Sequence, residues 1–155
     1  MNFEDSEVFG MLEQKVRNPY PNKIVWKQCG DVPKRDFYWL SVSEENCKPH
    51  ALVEAFKKDN LIEIVSEDLS QIQINLNEFF FDFEQKLKVS FNGNLVFHNF
   101  LQKDIQLVKE TFEKHCDPYL YFCSKVIVTS NEKIFTPSSN NKHNDSLESS
   151  YCNII

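Results

Sequence analysis

The sequence predicts a mostly β protein, a two-layer β-sandwich with one late α-helix and a short N-terminal helix. Three observations predict it. Short runs alternate apolar and polar residues with a period of two. The cleanest is "QIQINLN" at 71–77, where Ile72, Ile74 and Leu76 face one way and Gln71, Gln73 and Asn75 the other. The runs are rich in β-branched and aromatic residues, which favour strands. Only two stretches carry a clear helical period, one before the first strand and one before the last. Some seven short strands with one late helix bury their apolar faces most simply as two packed sheets.

The elements follow in order. In "DSEVFGMLEQKVR" (5–17), Asp5 or Ser6 can cap a helix, and Phe9, Leu12 and Val16 form an apolar stripe. "NPYP" stops it, because a residue before proline disfavours the α region, and 18–22 reads as a linker. "KIVWKQ" (23–28) and "DFYWLSV" (36–42) read as strands, and "LIEIVSE" (61–67) as another. "ALVEAFKKD" (51–59) fits a helical turn or a strand. "KLKVSF" (86–91) aligns Leu87, Val89 and Phe91 on one face. In "DIQLVKETFEKHC" (104–116), Asp104 is the N-cap, and Ile105, Val108 and Phe112 form a stripe that Cys116 continues; the helix is expected to cap an end or an edge of the sandwich. Asp117-Pro118 ends this helix, and "YLYFCSKVIVT" (119–129) is the last strand. The sandwich thus occupies 23–130. Residues 131–155 are Ser/Asn-rich and aperiodic, and are expected to form a disordered tail.

Asn92-Gly93 marks a β-hairpin corner, since both residues tolerate positive φ. Two registers compete. A two-residue type I′ turn pairs Phe91 with Asn94 and places Val89 beside Val96. A three-residue loop with Gly93 as the bulge pairs Ser90 with Asn94 and sets Leu87 and Val89 opposite Phe97 and Leu95. The second gathers more apolar side chains on one face, so burial favours it.

Composition narrows the function. The chain has 155 residues, 41% of them hydrophobic, which suits one globular domain. Its net charge of −6, without a Lys/Arg run, opposes binding to nucleic acid or an anionic membrane. No segment approaches the ~18 apolar residues of a membrane span. The acidic start "MNFEDSEVFGML" lacks a signal peptide's basic and apolar regions, so the sequence as written is expected in the cytoplasm. Five cysteines without CxxC spacing read as reduced thiols.

The three glycines stand apart, so there is no phosphate-binding loop or dinucleotide fingerprint, and no GxSxG nucleophile elbow. The histidines sit in no metal motif, and no cofactor or metal is expected. His115 beside Cys116 and Asp117 cannot form a triad, because consecutive residues project in different directions. A cation at a helix C-terminus is its simpler role. A Cys–His pair assembled by the fold, such as Cys123 with His98, is the nucleophilic option that remains. The candidate binding residues are aromatic: Trp26, Tyr38, Trp39, Phe79, Phe80 and Phe81. The Phe cluster in "NEFFFDFEQ" (77–85) is either a platform for a sugar or peptide, or a strand crossing that seals the sandwich edge. The second is favoured, because several exposed Phe side chains would promote aggregation.

"RNPYPNKIVWKQ", "RDFYWLSV" and "LSQIQINLNEFFFDFEQKLKVSFNGNLVFHNFLQKDIQLVKETFEKHCDPYLYFCSKVIV" resemble the C-terminal β-rich accessory domain of a family of α/β-hydrolase-type esterases or peptidases. The shared order is a basic linker, a "YWL" strand, an alternating strand, a crossing, an "NG" hairpin, a helix and "DP" before the last strand, over about residues 17–128. This chain departs at the crossing, with its bulky "FFFDF". The resemblance implies a non-catalytic interaction domain whose partner is an α/β-hydrolase catalytic domain, upstream in cis or in trans. Residues 1–17 would then be the end of that hydrolase domain. Such relatives are commonly exported. The alternative is a stand-alone carbohydrate- or peptide-binding β-sandwich module.

Overall fold

The computed structural model describes residues 18–130, apart from 31, 33 and 118. The expected N-terminal helix and C-terminal tail lie outside the described residues. Among the described residues, nine strands form two sheets: β1 (Lys23–Lys27), β2 (Asp36–Phe37), β3 (Leu40–Ser41), β4 (Leu52–Lys58), β5 (Leu61–Val65), β6 (Gln71–Leu76), β7 (Leu87–Phe91), β8 (Asn94–Asn99) and β9 (Ser124–Thr129). Between β8 and β9 lies one helix, α1 (Ile105–His115), and a 3-10 turn spans Glu44–Asn46. The five-stranded sheet has the order β1-β4-β5-β7-β8, and the four-stranded sheet β2-β3-β6-β9. All pairings are antiparallel except β5–β7. That parallel pair arises because the chain leaves β5, runs through β6 in the other sheet, and returns.

The alternation read from the sequence is what joins the sheets. Ile24 and Trp26 on β1, Val53 and Ala55 on β4, and Ile62 and Ile64 on β5 point inward. They meet Ile72, Ile74 and Leu76 of β6 and Val126 and Val128 of β9 in one core cluster. Residues 51–59, which fitted a helical turn or a strand, form β4. The expected linker at 18–22 is tied to the fold: Lys57 N donates to Asn22 O at 2.8 Å, and Trp39 Nε1 to Pro21 O at 2.8 Å.

Three expectations are corrected. The run 36–42 is not one strand. It reverses at Tyr38-Trp39 into β2 and β3, with Tyr38 at φ 56°. A single strand would send neighbours Trp39 and Leu40 to opposite faces. The reversal buries both completely. The last strand begins at Ser124 rather than 119, because its ladder with β6 ends at the Leu76–Ser124 pair and residues 119–123 form a turn and bend before it.

The third correction is the hairpin. Phe91 pairs with Asn94 across a two-residue turn, with Asn92 at φ 49° and Gly93 at φ 77°, as a type I′ turn requires. The bulge lies further along, where Val89 pairs with Phe97 and Ser90 with Leu95. Val96 becomes the extra residue, so Val89, Phe91 and Val96 are all buried and the tight turn is kept. The Asn92 carboxamide then reaches across to Ser66. Its Nδ2 donates to Ser66 O at 2.8 Å, and its Oδ1 accepts from Ser66 N at 2.9 Å. The corner is therefore welded to the chain leaving β5. Asn92→Ala removes both bonds and places alanine at positive φ. It is expected to lower stability by about 2 kcal/mol in urea denaturation. A change within about 0.5 kcal/mol would show that the weld contributes nothing.

Candidate functional site

The Phe crossing was the sequence's strongest candidate surface, and its geometry divides it. Asn77 is fully buried, and its carbonyl accepts from the amides of Phe80 (3.3 Å) and Phe81 (3.0 Å). This tight turn throws Phe79 outward, 68% exposed, and drives Phe80 and Phe81 into the core. Phe80 sits 5.6 Å from Tyr20, 5.5 Å from Trp39 and 4.7 Å from Phe81, ring centre to ring centre. Lys57 Nζ lies 4.3 Å from the Phe80 ring centre, an ordinary cation–π distance. Burial there pushes the lysine's pKa down. The following loop is pinned by Asn60, whose Nδ2 donates to Asp82 O and whose Oδ1 accepts from Asp82 N.

Of the six aromatic candidates, Trp26, Trp39, Phe80 and Phe81 are buried. They cannot present a binding surface, because their rings pack on one another and on the sheets. Trp26, for example, stacks on Phe37 at 5.6 Å. Only Tyr38 and Phe79 reach solvent, and they lie on different turns. Phe80 and Phe81 belong to the core cluster, while Phe79 stays outside it.

Beside Phe79 is an open cleft of about 490 Å³, bordered by Glu78, Phe83 and Lys103. Lys103 and Glu78 form an ion pair at its rim. Hydrogen bonding to Lys103 holds the Glu78 carboxyl below the usual carboxylate range. Tyr121 packs edge-on against Phe79 at 5.9 Å. Nearby, burial first and then the Glu78 charge push the Cys123 thiol up. An activated nucleophilic thiol is shifted the other way. His98 stands exposed on β8 opposite Lys88, and no hydrogen bond joins it to Cys123. The Cys123–His98 nucleophile is therefore not assembled. Among the described residues, no group of three or more His, Cys, Asp or Glu side chains converges as a metal site would need. No helix of the described residues is long and apolar enough to cross a membrane.

A smaller, polar groove of about 270 Å³ crosses the outer face of the four-stranded sheet. Here Gln73 Nε2 donates to Asn75 Oδ1 (2.7 Å), Asn75 Nδ2 to Ser41 Oγ (2.7 Å), and Ser41 Oγ to Asp36 Oδ1 (2.8 Å). Lys114 Nζ closes the chain on Asp36 Oδ2 at 2.8 Å. Partial burial works against the Asp36 charge, but the bonds from Lys114 and Ser41 prevail and hold its carboxyl low.

Sequence reasoning missed the face that α1 presents. The Asp104 carboxylate caps the helix as expected, accepting from the amides of Gln106 (2.8 Å) and Leu107 (3.3 Å). The stripe points away from the core. Leu107 is buried, while Ile105 is 86% exposed, Phe112 47% exposed, and Cys116 exposed. Thr111 explains the rotation. Its Oγ1 accepts from Phe122 N at 3.0 Å and donates to Leu107 O at 2.8 Å, fixing that side of the helix against residue 122. His115, one turn on, packs edge-on to the Phe122 ring. The line 107, 111, 115 faces inward. The line 105, 112, 116, which repeats at i, i+7 and i+11, faces out. The signal was available in the sequence: a threonine on one face of an amphipathic helix can bond a neighbouring chain.

Comparisons with protein-family models, with curated proteins and with solved structures find no match.

Proposed function

We propose that this chain is a non-catalytic interaction domain, and that its docking face is the outward apolar stripe of α1. The observation that carries this reading is the exposure of Ile105 and Phe112 on a helix whose one buried residue is Leu107. Covering two such side chains is worth about 1.5–3 kcal/mol each. A face of that kind has a use for a partner. The resemblance described above supplies the partner's class, an α/β-hydrolase catalytic domain reached in cis or in trans.

The test uses Ile105→Asp and Phe112→Asp. Neither side chain belongs to the core, so the thermal midpoint of the domain is expected to stay within a few degrees. Co-purification with the hydrolase domain is expected to fall at least ~10-fold. Association at the wild-type level in both variants would remove this face from the account.

The second reading, a carbohydrate- or peptide-binding module, moves from the buried tryptophans to the polar groove. Its amides and hydroxyls are held in place by the Gln73–Asn75–Ser41–Asp36 chain, which suits a polar, uncharged ligand. On this reading Gln73→Ala weakens binding of an oligosaccharide seen by amide chemical shifts around Ile127. The absence of any shift with neutral oligosaccharides at ~1 mM would remove it.

A further inference from the structure

The hairpin corner carries a reactive pair that the fold holds shut. Asn92-Gly93 is the one Asn-Gly pair in the sequence. Glycine has no side chain to shield its amide, so the Gly93 nitrogen is well placed to attack the preceding carboxamide. Both residues are exposed, and the space beside Gly93 is open to 4 Å, so water reaches the corner. Three hydrogen bonds nevertheless pin Asn92. Its backbone N donates to Ile64 O at 2.8 Å, its Nδ2 donates to Ser66 O at 2.8 Å, and its Oδ1 accepts from Ser66 N at 2.9 Å. Both ends of the carboxamide are thus held on the chain leaving β5 rather than over the Gly93 nitrogen. Ser66 is itself buried and anchored, its Oγ donating to Leu52 O at 2.8 Å and accepting from Leu69 N at 3.2 Å.

We infer that Asn92 is a latent modification site, a spontaneous deamidation site sealed by its bonds to Ser66. When the corner lifts, the Gly93 amide gives its proton to solvent and its nitrogen attacks Asn92 Cγ. The N–Cγ bond forms, the Cγ–Nδ2 bond breaks, and the side-chain nitrogen takes up a proton and leaves as ammonia. A cyclic imide remains, and one water opens it. Attack at Cγ breaks the N–Cγ bond and gives aspartate. Attack at the Asn92 carbonyl carbon breaks the peptide bond to Gly93 and gives isoaspartate. Water is the only co-reactant, and nothing is oxidised or reduced. Neither product remakes the weld. Aspartate has lost the N–H that Ser66 O accepted, and it sets a carboxylate oxygen against that carbonyl. Isoaspartate lengthens the backbone between the two residues, so a two-residue turn no longer pairs Phe91 with Asn94. Deamidation is therefore a one-way loosening of the joint between the β7–β8 hairpin and β5, at a rate set by how often the corner opens.

Peptide mapping of the full chain at neutral pH, in native buffer and in denaturing guanidinium, follows conversion at Asn92, with Asn94 and Asn99 as internal controls. Hydrogen exchange of the Ser66 amide, the donor to Asn92 Oδ1, reads the opening of the weld in the same native sample. In guanidinium, Asn92 is expected to convert at least ~10-fold faster than Asn94, which precedes the bulkier Leu95. In native buffer its conversion is expected to slow by ~30-fold or more, the factor that two typical hydrogen bonds supply. Guanidinium added below the unfolding transition is expected to raise Asn92 conversion and Ser66 exchange together. Asn92→Asp, which stands in for one product, is expected to reduce the folding equilibrium constant at least ~10-fold in guanidinium denaturation. Equal Asn92 conversion in the native and denatured chain, conversion of Asn94 as fast as Asn92, or free exchange of Ser66 while Asn92 stays protected would each overturn the sealed site. An Asn92→Asp chain as stable as the wild type would overturn the loosening.

Discussion

Phe80→Ala is expected to lower the unfolding free energy by about 3–5 kcal/mol, while Phe79→Ala, one residue away, changes it by less than about 0.5 kcal/mol. The two side chains share a turn and a residue type but not an environment. Phe80 is 7% exposed among Tyr20, Trp39 and Phe81; Phe79 is 68% exposed. Truncating Phe80 leaves a cavity where three rings converge and removes the nearer of the two rings beneath Lys57, the other being Phe81 at 5.0 Å. Domains of this size are stable by some 5–15 kcal/mol, so the loss is a large fraction of the total. Urea denaturation of both variants measures it. Similar losses for the two, or a larger loss for Phe79, would mean that the Asn77 turn does not sort them as described.

Trp39→Ala is expected to cost about as much, 3–5 kcal/mol, for a different mixture of reasons. Trp39 is completely buried, and its Nε1 donates to Pro21 O at 2.8 Å. The backbone follows the same path, because Asn75 N donates to Trp39 O at 2.8 Å. The side chain therefore ties the entering segment to Trp39, whose backbone carbonyl is bonded to β6. Trp39→Phe separates the contributions. It keeps most of the ring volume and loses the bond, so about 1–2 kcal/mol of the loss is expected to remain. If Trp39→Phe were as damaging as Trp39→Ala, the bond to Pro21 would dominate; if it were harmless, packing alone would.

How much of this was legible in the sequence depended on the physics of each stretch. The period-two runs of β1, β5, β6 and β7 could be read because one face is dry and the other wet, and the alternation records that directly. Asp104 could be read as a cap because capping is local. The break at Tyr38-Trp39 could not. It depends on Trp39 finding Pro21, 18 residues back, and no local preference announces that. The hairpin was half legible. Asn92-Gly93 announced a tight turn, but the bulge that reconciles it with burial of Val96 is set by the whole sheet. The α1 stripe was legible as an apolar face, but amphipathicity does not say what covers it. Likewise four of the six aromatic candidates proved to be core, since a Phe or Trp run alone does not distinguish an edge seal from a platform.

The central claim is that the α1 stripe is an interface. The most direct measurement is site-specific photocrosslinking from position 105 or 112 in the intact protein in its native cells, with position 88 on β7 as the control. Position 88 is also exposed, but lies on the five-stranded sheet. The account predicts abundant crosslinks from 105 and 112 to an attached hydrolase domain, and few from 88. Equal, low yields from all three positions would contradict it.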